Sequence, residues 1–302
     1  MNSSLIKTKN DFKMNHKKNL RSTNNKMYQI ASCSKFITYL VVGKLYELGK
    51  LDYDTDINKY LKKWECPAKK ITLRHLLTHT SGIIGGGFSG YDISNTKLPT
   101  NIDILNGNGK SKKIEFIDKP GNTYKYSGIG YQVIQQVLEE ITGKKLYQLM
   151  DRYIFKPLNL KNSTGKVLYP KKHKYNLSQI KNWDYKLYPE TAAAGVWMST
   201  HDLFKIVLDL SNGYKSNTSK ILKNKTLMSF LNDLQNENEN FKFLNNEINM
   251  FHTGSNKGYI THMGCYPMLG ECFIIMVNYN PEKHTKIKVK EYIKKQRNLY
   301  LS

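Results

Sequence analysis

Apolar positions recur at helical spacing through the middle of this chain and at strand spacing towards its end. From Phe36 to Leu48 the residues Phe36, Tyr39, Leu40, Gly43 and Tyr46 mark one helical face, with Ile37, Val41, Leu45 and Leu48 beside them. A helix that is apolar nearly all round belongs in the interior, so this one is expected to be central and buried. "ITLRHLLTHTSG" predicts a short helix closed by Gly82, because glycine tolerates the left-handed turn at a helix C-terminus. "GYQVIQQVLEEITGKKLYQLMDRYIF" predicts two helices broken at Gly143. "STHDLFKIVLDLSNG" predicts another, opened by a Ser or Thr cap and closed near Gly213.

Beyond Glu247 the pattern shortens to "INMFHTG", "GYITHMGCYPM" and "ECFIIMVNY", β-rich runs separated by turn signals. A last helix from about Glu282 to Arg297 would present Val289, Tyr292 and Ile293 on one face. Helices followed by antiparallel strands and a terminal helix predict an α+β fold, an antiparallel sheet flanked by helices. Residues 1–25 are polar and basic without periodicity and read as a tail, leaving 26–302 as one domain with a mainly helical lobe at roughly 55–190.

Composition adjusts this picture only in places. The 302 residues suffice for one large domain, and 39% hydrophobic content is ordinary for a folded protein. The mean hydropathy of -0.57 marks a very polar surface. A formal charge of +23 would point to nucleic acid if it were clustered. The lysines instead run along the whole length among many Asn, Ile and Tyr, so no nucleic-acid partner is expected, and the charge implies no more than a weak attraction to anionic polymers. Cys33, Cys66, Cys265 and Cys272 form no CxxC pair and no metal-ligand spacing with His; they read as free, mostly buried thiols, with no metal and no cofactor. "MNSSLIKTKNDFKMNHKKNL" has no apolar leader core and no segment reaches the roughly 20 apolar residues of a membrane span. A cytoplasmic location is the expectation as written, and a cell-envelope one if the protein starts further upstream.

The chemistry centres on "IASCSK". Ser32 and Lys35 stand three apart at a helix entrance, which puts hydroxyl and amine on one face within hydrogen-bond reach. A lysine whose charge is disfavoured by desolvation or a nearby cation can take a serine proton, and the helix N-terminus offers N–H groups to a developing oxyanion. Ser34 is adjacent to Lys35 and points elsewhere. SxxK alone is a weak signal, since an N-cap serine and a surface lysine would look the same. Partners strengthen it: Tyr126 lies in a turn before a helix, a position from which a tyrosine can shuttle protons, and His252, Thr253 and Gly254 end a strand where glycine allows close approach of a ligand.

In order along the chain, "IASCSK", "GKLDYDTDINKYL", "ITLRHLLTHTSGI", "PGNTYKYSGIGY" and "HTGSNKGY" resemble the serine β-lactamase and penicillin-binding protein-like family, in the branch with class C β-lactamases, DD-peptidases, D-aminopeptidases and esterases. "YPETAAAGVWMSTHDLFKIV" resembles the family's stretch between its second and third motifs, and the likeness spans about residues 27 to 280. The resemblance implies that Ser32 is the acylated nucleophile, Lys35 its proton acceptor and Tyr126 the tyrosine of the YxN element. It further implies that His252, Thr253 and Gly254 form the K/H-T/S-G strand and that the N–H groups of Ser32 and Ser255 make the oxyanion hole. The implied substrate is a small molecule or short peptide: a β-lactam, a D-amino-acid peptide or a small ester.

Two departures from the family pattern stand out. Gly128 replaces the Asn of YxN, removing a polar contact to the substrate amide. Only 31 residues precede Ser32, so the family's N-terminal strands are expected to be missing or shortened, leaving a sheet edge unpaired. A penicillin-binding-like protein that recognises peptidoglycan-type ligands without turnover is the competing expectation. His75 and His79 sit four apart as in zinc helices, but with no Glu beside the first and no third ligand they read as structural hydrogen-bonding groups.

Overall fold

The computed structural model describes residues 2–8, 25–229 apart from 69, 86, 96, 111–112, 171–173 and 179–184, then 250–267 and 271–279. In chain order the strands are β1 (Asn2–Thr8), β2 (Met27–Gln29), β3 (Ile83–Ile84), β4 (Glu115–Phe116), β5 (Ser163–Thr164), β6 (Trp197–Ser199), β7 (Met250–Asn256), β8 (Tyr259–Tyr266) and β9 (Glu271–Asn278). The α-helices that lie wholly within the described residues are α1 (Ser34–Glu47), α2 (Leu73–Leu77), α3 (Asn101–Leu105), α4 (Gly128–Thr142), α5 (Leu146–Met150) and α6 (Thr200–Ser216). The order of the main sheet is β1-β9-β8-β7, antiparallel throughout. This is the α+β arrangement that the pattern predicts.

α1 is buried almost all round, from Ser34 to Gly43 and at Leu45, as its sequence requires; Tyr46 and Leu48 at its end are exposed. Each Leu, Ile or Val side chain removed from water in this way contributes about 1.5–3 kcal/mol. α6 packs across β1, β8 and β9, with Ser199 as its N-cap accepting the Asp202 N–H at 3.2 Å. The alternation of β8 and β9 sends Met263, Cys265, Ile274 and Met276 into the main core, and Ile260, Phe273, Ile275 and Val277 into a second apolar cluster on the other face.

Several expectations need correction. Residues 2–8, read as tail, form β1 and pair with β9 over its full length, from Asn2 opposite Asn278 to Thr8 opposite Cys272. That sheet edge is therefore covered, not left open by a missing strand. Cys265 and Cys272 are not free thiols: they are register partners on β8 and β9 joined by a disulfide, while Cys33 and Cys66 are free and buried. α2 ends at Leu77, capped by Thr78 and followed by His79 in the left-handed region at φ +62°, short of the predicted stop at Gly82. α6 runs through Gly213 to Asn217 at φ +59°. His and Asn adopt that conformation more readily than most residues, so they can close helices where glycine was expected. Gly143, at φ +64°, does separate α4 from α5. The predicted helix 282–297 lies outside the described residues.

Candidate active site

Ser32 occupies a single 3-10 turn, Ala31–Cys33, that runs directly into α1. Ala31 holds φ at +51°, a left-handed conformation that costs a non-glycine residue about 1–2 kcal/mol. Packing enforces it. β7 lies against this turn so closely that a Cβ on Gly254 would overlap the Ile30 carbonyl oxygen and come within 3.0 Å of Ser32 N. Glycine is what allows the two backbones to meet. Strain held in place by a neighbouring element, next to a candidate nucleophile, is characteristic of functional sites.

One turn further along, Lys35 places Nζ 3.4 Å from Ser32 Oγ and donates a 2.8 Å hydrogen bond to the Ala193 carbonyl. The side chain is only 2% exposed. Among the described residues no carboxylate forms an ion pair with it; both of its acceptors are neutral oxygens. Ser34 turns away, accepting the Val196 N–H at 3.1 Å. Cys33 is enclosed, and burial pushes its thiol far above the ordinary range against the opposing Lys35 charge, which makes it a poor nucleophile.

The acceptor of the Lys35 bond belongs to a turn that the motifs alone did not mark as part of the site. The Glu190 carbonyl accepts N–H bonds from Ala193, Ala194 and Gly195 at 3.2, 2.8 and 3.0 Å. Thr38 Oγ1 donates to Ala192 O at 3.0 Å, and the Ala192 N–H donates to Gln135 Oε1 at 3.1 Å. Asn256 Nδ2 donates to both Ala194 O at 3.1 Å and Gln29 Oε1 at 2.8 Å. This turn thus ties α1, α4 and β7 together around Lys35. Asn256 directly follows the "HTGS" run and was within reach of the sequence. A backbone carbonyl such as that of Ala193 carries no side-chain signature.

Tyr126 stands before α4, whose N-cap Ser127 accepts the Gly130 N–H at 3.1 Å. Its ring centroid is 5.0 Å from Lys35 Nζ, and the side chain is 42% exposed, so it borders both the buried amine and solvent. Tyr131 lies on the other side at 5.6 Å, buried, its hydroxyl donating to Leu77 O; burial pushes its phenol well above the ordinary value. Gly128 is the first residue of α4, its N–H directed to Gly85 O at 3.2 Å, and it brings no side chain to the site.

On β7, His252 and Gly254 face inward while Thr253 and Ser255 are exposed. The His252 Nδ1 lies 2.9 Å from Thr253 O. Burial, reinforced by the Lys35 charge, lowers its pKa to about 4, so the ring is neutral near pH 7. The two histidines of this segment divide: His75, within α2, accepts the Thr72 N–H at Nδ1 in a capping box, whereas His79, just past the helix end, accepts the Ser127 N–H at Nδ1 at 3.1 Å. Among the described residues no three His, Cys, Asp or Glu side chains group as metal ligands would. No helix among them is long and apolar enough to cross a membrane. A cleft of about 880 Å³ between Tyr147, Arg152, Tyr153 and Lys166 lies apart from Ser32, Lys35, Tyr126 and the β7 residues, none of which lines it.

Comparison with known proteins bears on the whole assembly. The family model described as Beta-lactamase matches residues 12–297. Protein flp of Staphylococcus aureus (strain MW2) is 26% identical over 290 residues, covering 89% of this chain and 56% of that protein. The teichoic acid D-alanine hydrolase of S. aureus (strain MRSA252) is 26% identical over 211 residues, covering 68% and 50% respectively. The chain therefore spans about half the length of these curated relatives. Among solved structures, a penicillin binding protein from Bacillus halodurans superposes with a TM-score of 0.69 at 17% identity, over 91% of this chain and 90% of that one. The D-amino acid amidase from Ochrobactrum anthropi SV3 gives 0.68 at 19% identity, over 92% and 88%. At these identities the superpositions establish the fold.

Proposed function

The chain belongs to the Beta-lactamase family, and from that premise we propose that it is a serine hydrolase that opens an amide or ester through an acyl-enzyme at Ser32. The observation that carries this reading is the buried Lys35 amine 3.4 Å from Ser32 Oγ, with no carboxylate partner among the described residues. In the first step Ser32 Oγ bonds to the substrate carbonyl carbon as its proton passes to the Lys35 amine. The carbonyl π electrons move onto oxygen, where the N–H groups of Ser32 and Ser255 would hold them. Collapse expels the amine or alcohol, which takes its proton through Tyr126. Water then attacks the acyl-Ser32 ester; one of its protons passes to Ser32 Oγ as the ester C–O bond breaks, and the acid is released.

The names of the similar proteins favour a D-configured aminoacyl group, since one relative is a teichoic acid D-alanine hydrolase and one structural neighbour a D-amino acid amidase. β-Lactams and small esters fit the same acylation chemistry. A second reading has its own support: Gly128 supplies no side chain where the family's Asn contacts the substrate amide, which favours a protein that acylates and then turns over slowly. Intact-protein mass spectrometry after incubation with a fluorophosphonate and with a penicillin tests both. The hydrolase reading expects one adduct at Ser32 and a penicilloyl species that decays. A penicilloyl species that persists supports the slow-turnover reading.

A further inference from the structure

Tyr126 is 42% exposed and stands on a loop, yet proton transfer requires its hydroxyl to stay in one place. The structure shows what restrains it. The chain on either side of Tyr126 is tied to one residue, His79: the Lys125 N–H donates to the His79 carbonyl at 2.8 Å, and the Ser127 N–H donates to His79 Nδ1 at 3.1 Å. The His79 ring lies 4.5 Å from the Tyr126 ring, tilted by 40°, and also meets Tyr124 at 5.9 Å and Tyr131 at 5.4 Å. His79 is only 2% exposed, and its φ of +62° lets both carbonyl and imidazole address the same stretch of loop.

We infer that His79 is the positioning residue for Tyr126, clasping it by its two neighbours and packing on its ring; the inference rests on the reading of Tyr126 as the proton shuttle. The clasp demands a particular form of the imidazole. Nδ1 must accept, so the single proton of the neutral ring resides on Nε2; a second proton on Nδ1 would face the Ser127 N–H donor to donor. The surroundings enforce neutrality, since burial, the Lys35 charge and the neighbouring His252 together lower the His79 pKa to about 3.

Two substitutions separate the components. His79→Asn preserves an acceptor at the Nδ1 position and tolerates the left-handed backbone, losing only ring contact. His79→Leu removes the acceptor and leaves the buried Ser127 N–H without its partner. The rate of penicilloyl-adduct formation, in which the ring-opened amine must take a proton, followed by intact-protein mass on variants shown to be folded by circular dichroism, is expected to fall about 10- to 100-fold in His79→Leu and to recover most of that loss in His79→Asn. In the cycle with Tyr126→Phe, the double variant His79→Leu/Tyr126→Phe should be no slower than Tyr126→Phe alone. A crystal structure of His79→Leu should show Tyr126 displaced.

An undisplaced Tyr126 in His79→Leu overturns the inference, as does additivity in the cycle or a rate loss that His79→Asn fails to restore. Normal acylation by Tyr126→Phe together with a displaced tyrosine in His79→Leu would instead overturn the proposed role of Tyr126, leaving the clasp itself supported.

Discussion

At Gly254 a methyl group has nowhere to go, because the Ile30 carbonyl and Ser32 N already occupy the space its Cβ would fill. Gly254→Ala must push β7 away from the turn that strains Ala31, at a cost of about 1–3 kcal/mol, and it is expected to lower Ser32 acylation at least about 10-fold. Thermal unfolding and fluorophosphonate labelling measure the two effects; unchanged labelling would show that the seam does not matter to Ser32. Glu190 makes a prediction of opposite sign. Burial raises its pKa from 4.5 to about 7, and its Oε2 has no hydrogen-bond partner among the described residues. Between these values the unfolded chain has lost a proton that the folded protein keeps, so stability falls as pH rises from about 4.5 to about 7 and then levels off. Glu190→Gln escapes that loss, with an advantage that grows from nothing near pH 4 to about 3 kcal/mol near pH 8. Parallel Tm–pH curves for parent and variant would refute it. At this scale the sequence pointed to Ser32, Lys35 and Tyr126 through their side chains and to Gly254 through its lack of one, and the structure brings these four residues together. The sequence was silent on the Ala193 carbonyl and on Glu190, since neither a backbone acceptor nor an enclosed carboxyl differs in letters from an ordinary turn.

Among the elements, α1 and the three strands β7, β8 and β9 were legible because they are apolar-rich runs of suitable length bounded by turn signals. β1 was not, since "NSSLIKT" is short and mostly polar and its place is decided by backbone pairing with β9. Pairing over seven residues nonetheless closes a sheet edge, and unpaired edges invite association between chains. Removing residues 2–8 is therefore expected to lower Tm by several degrees and to produce concentration-dependent aggregation, measured by thermal unfolding and light scattering. A truncated protein with unchanged Tm and no aggregation would mean that β1 contributes nothing to the sheet. The stops of α2 and α6 were misplaced for a different reason: glycine is the commonest left-handed residue, but His79 and Asn217 take that role here. For His79 the consequence extends beyond the helix, because the same turn aims it at Tyr126.

Across the whole molecule, the charge of +23 was the loudest signal in composition and the least informative about chemistry. The site is built instead from groups far apart in sequence: a turn at 31–33, a loop at 124–128, a turn at 190–195 and the strand β7, all meeting around one buried amine. Ordered motifs reported which of these segments belong together, although only the fold shows the distances between them. The account stands or falls on Ser32 acting as an activated nucleophile. The most direct measurement is intact-protein mass after fluorophosphonate treatment, comparing the parent with Ser32→Ala, each confirmed as folded. The account predicts a single adduct on the parent and none on Ser32→Ala. An unmodified parent, or an adduct that survives in Ser32→Ala, would contradict it.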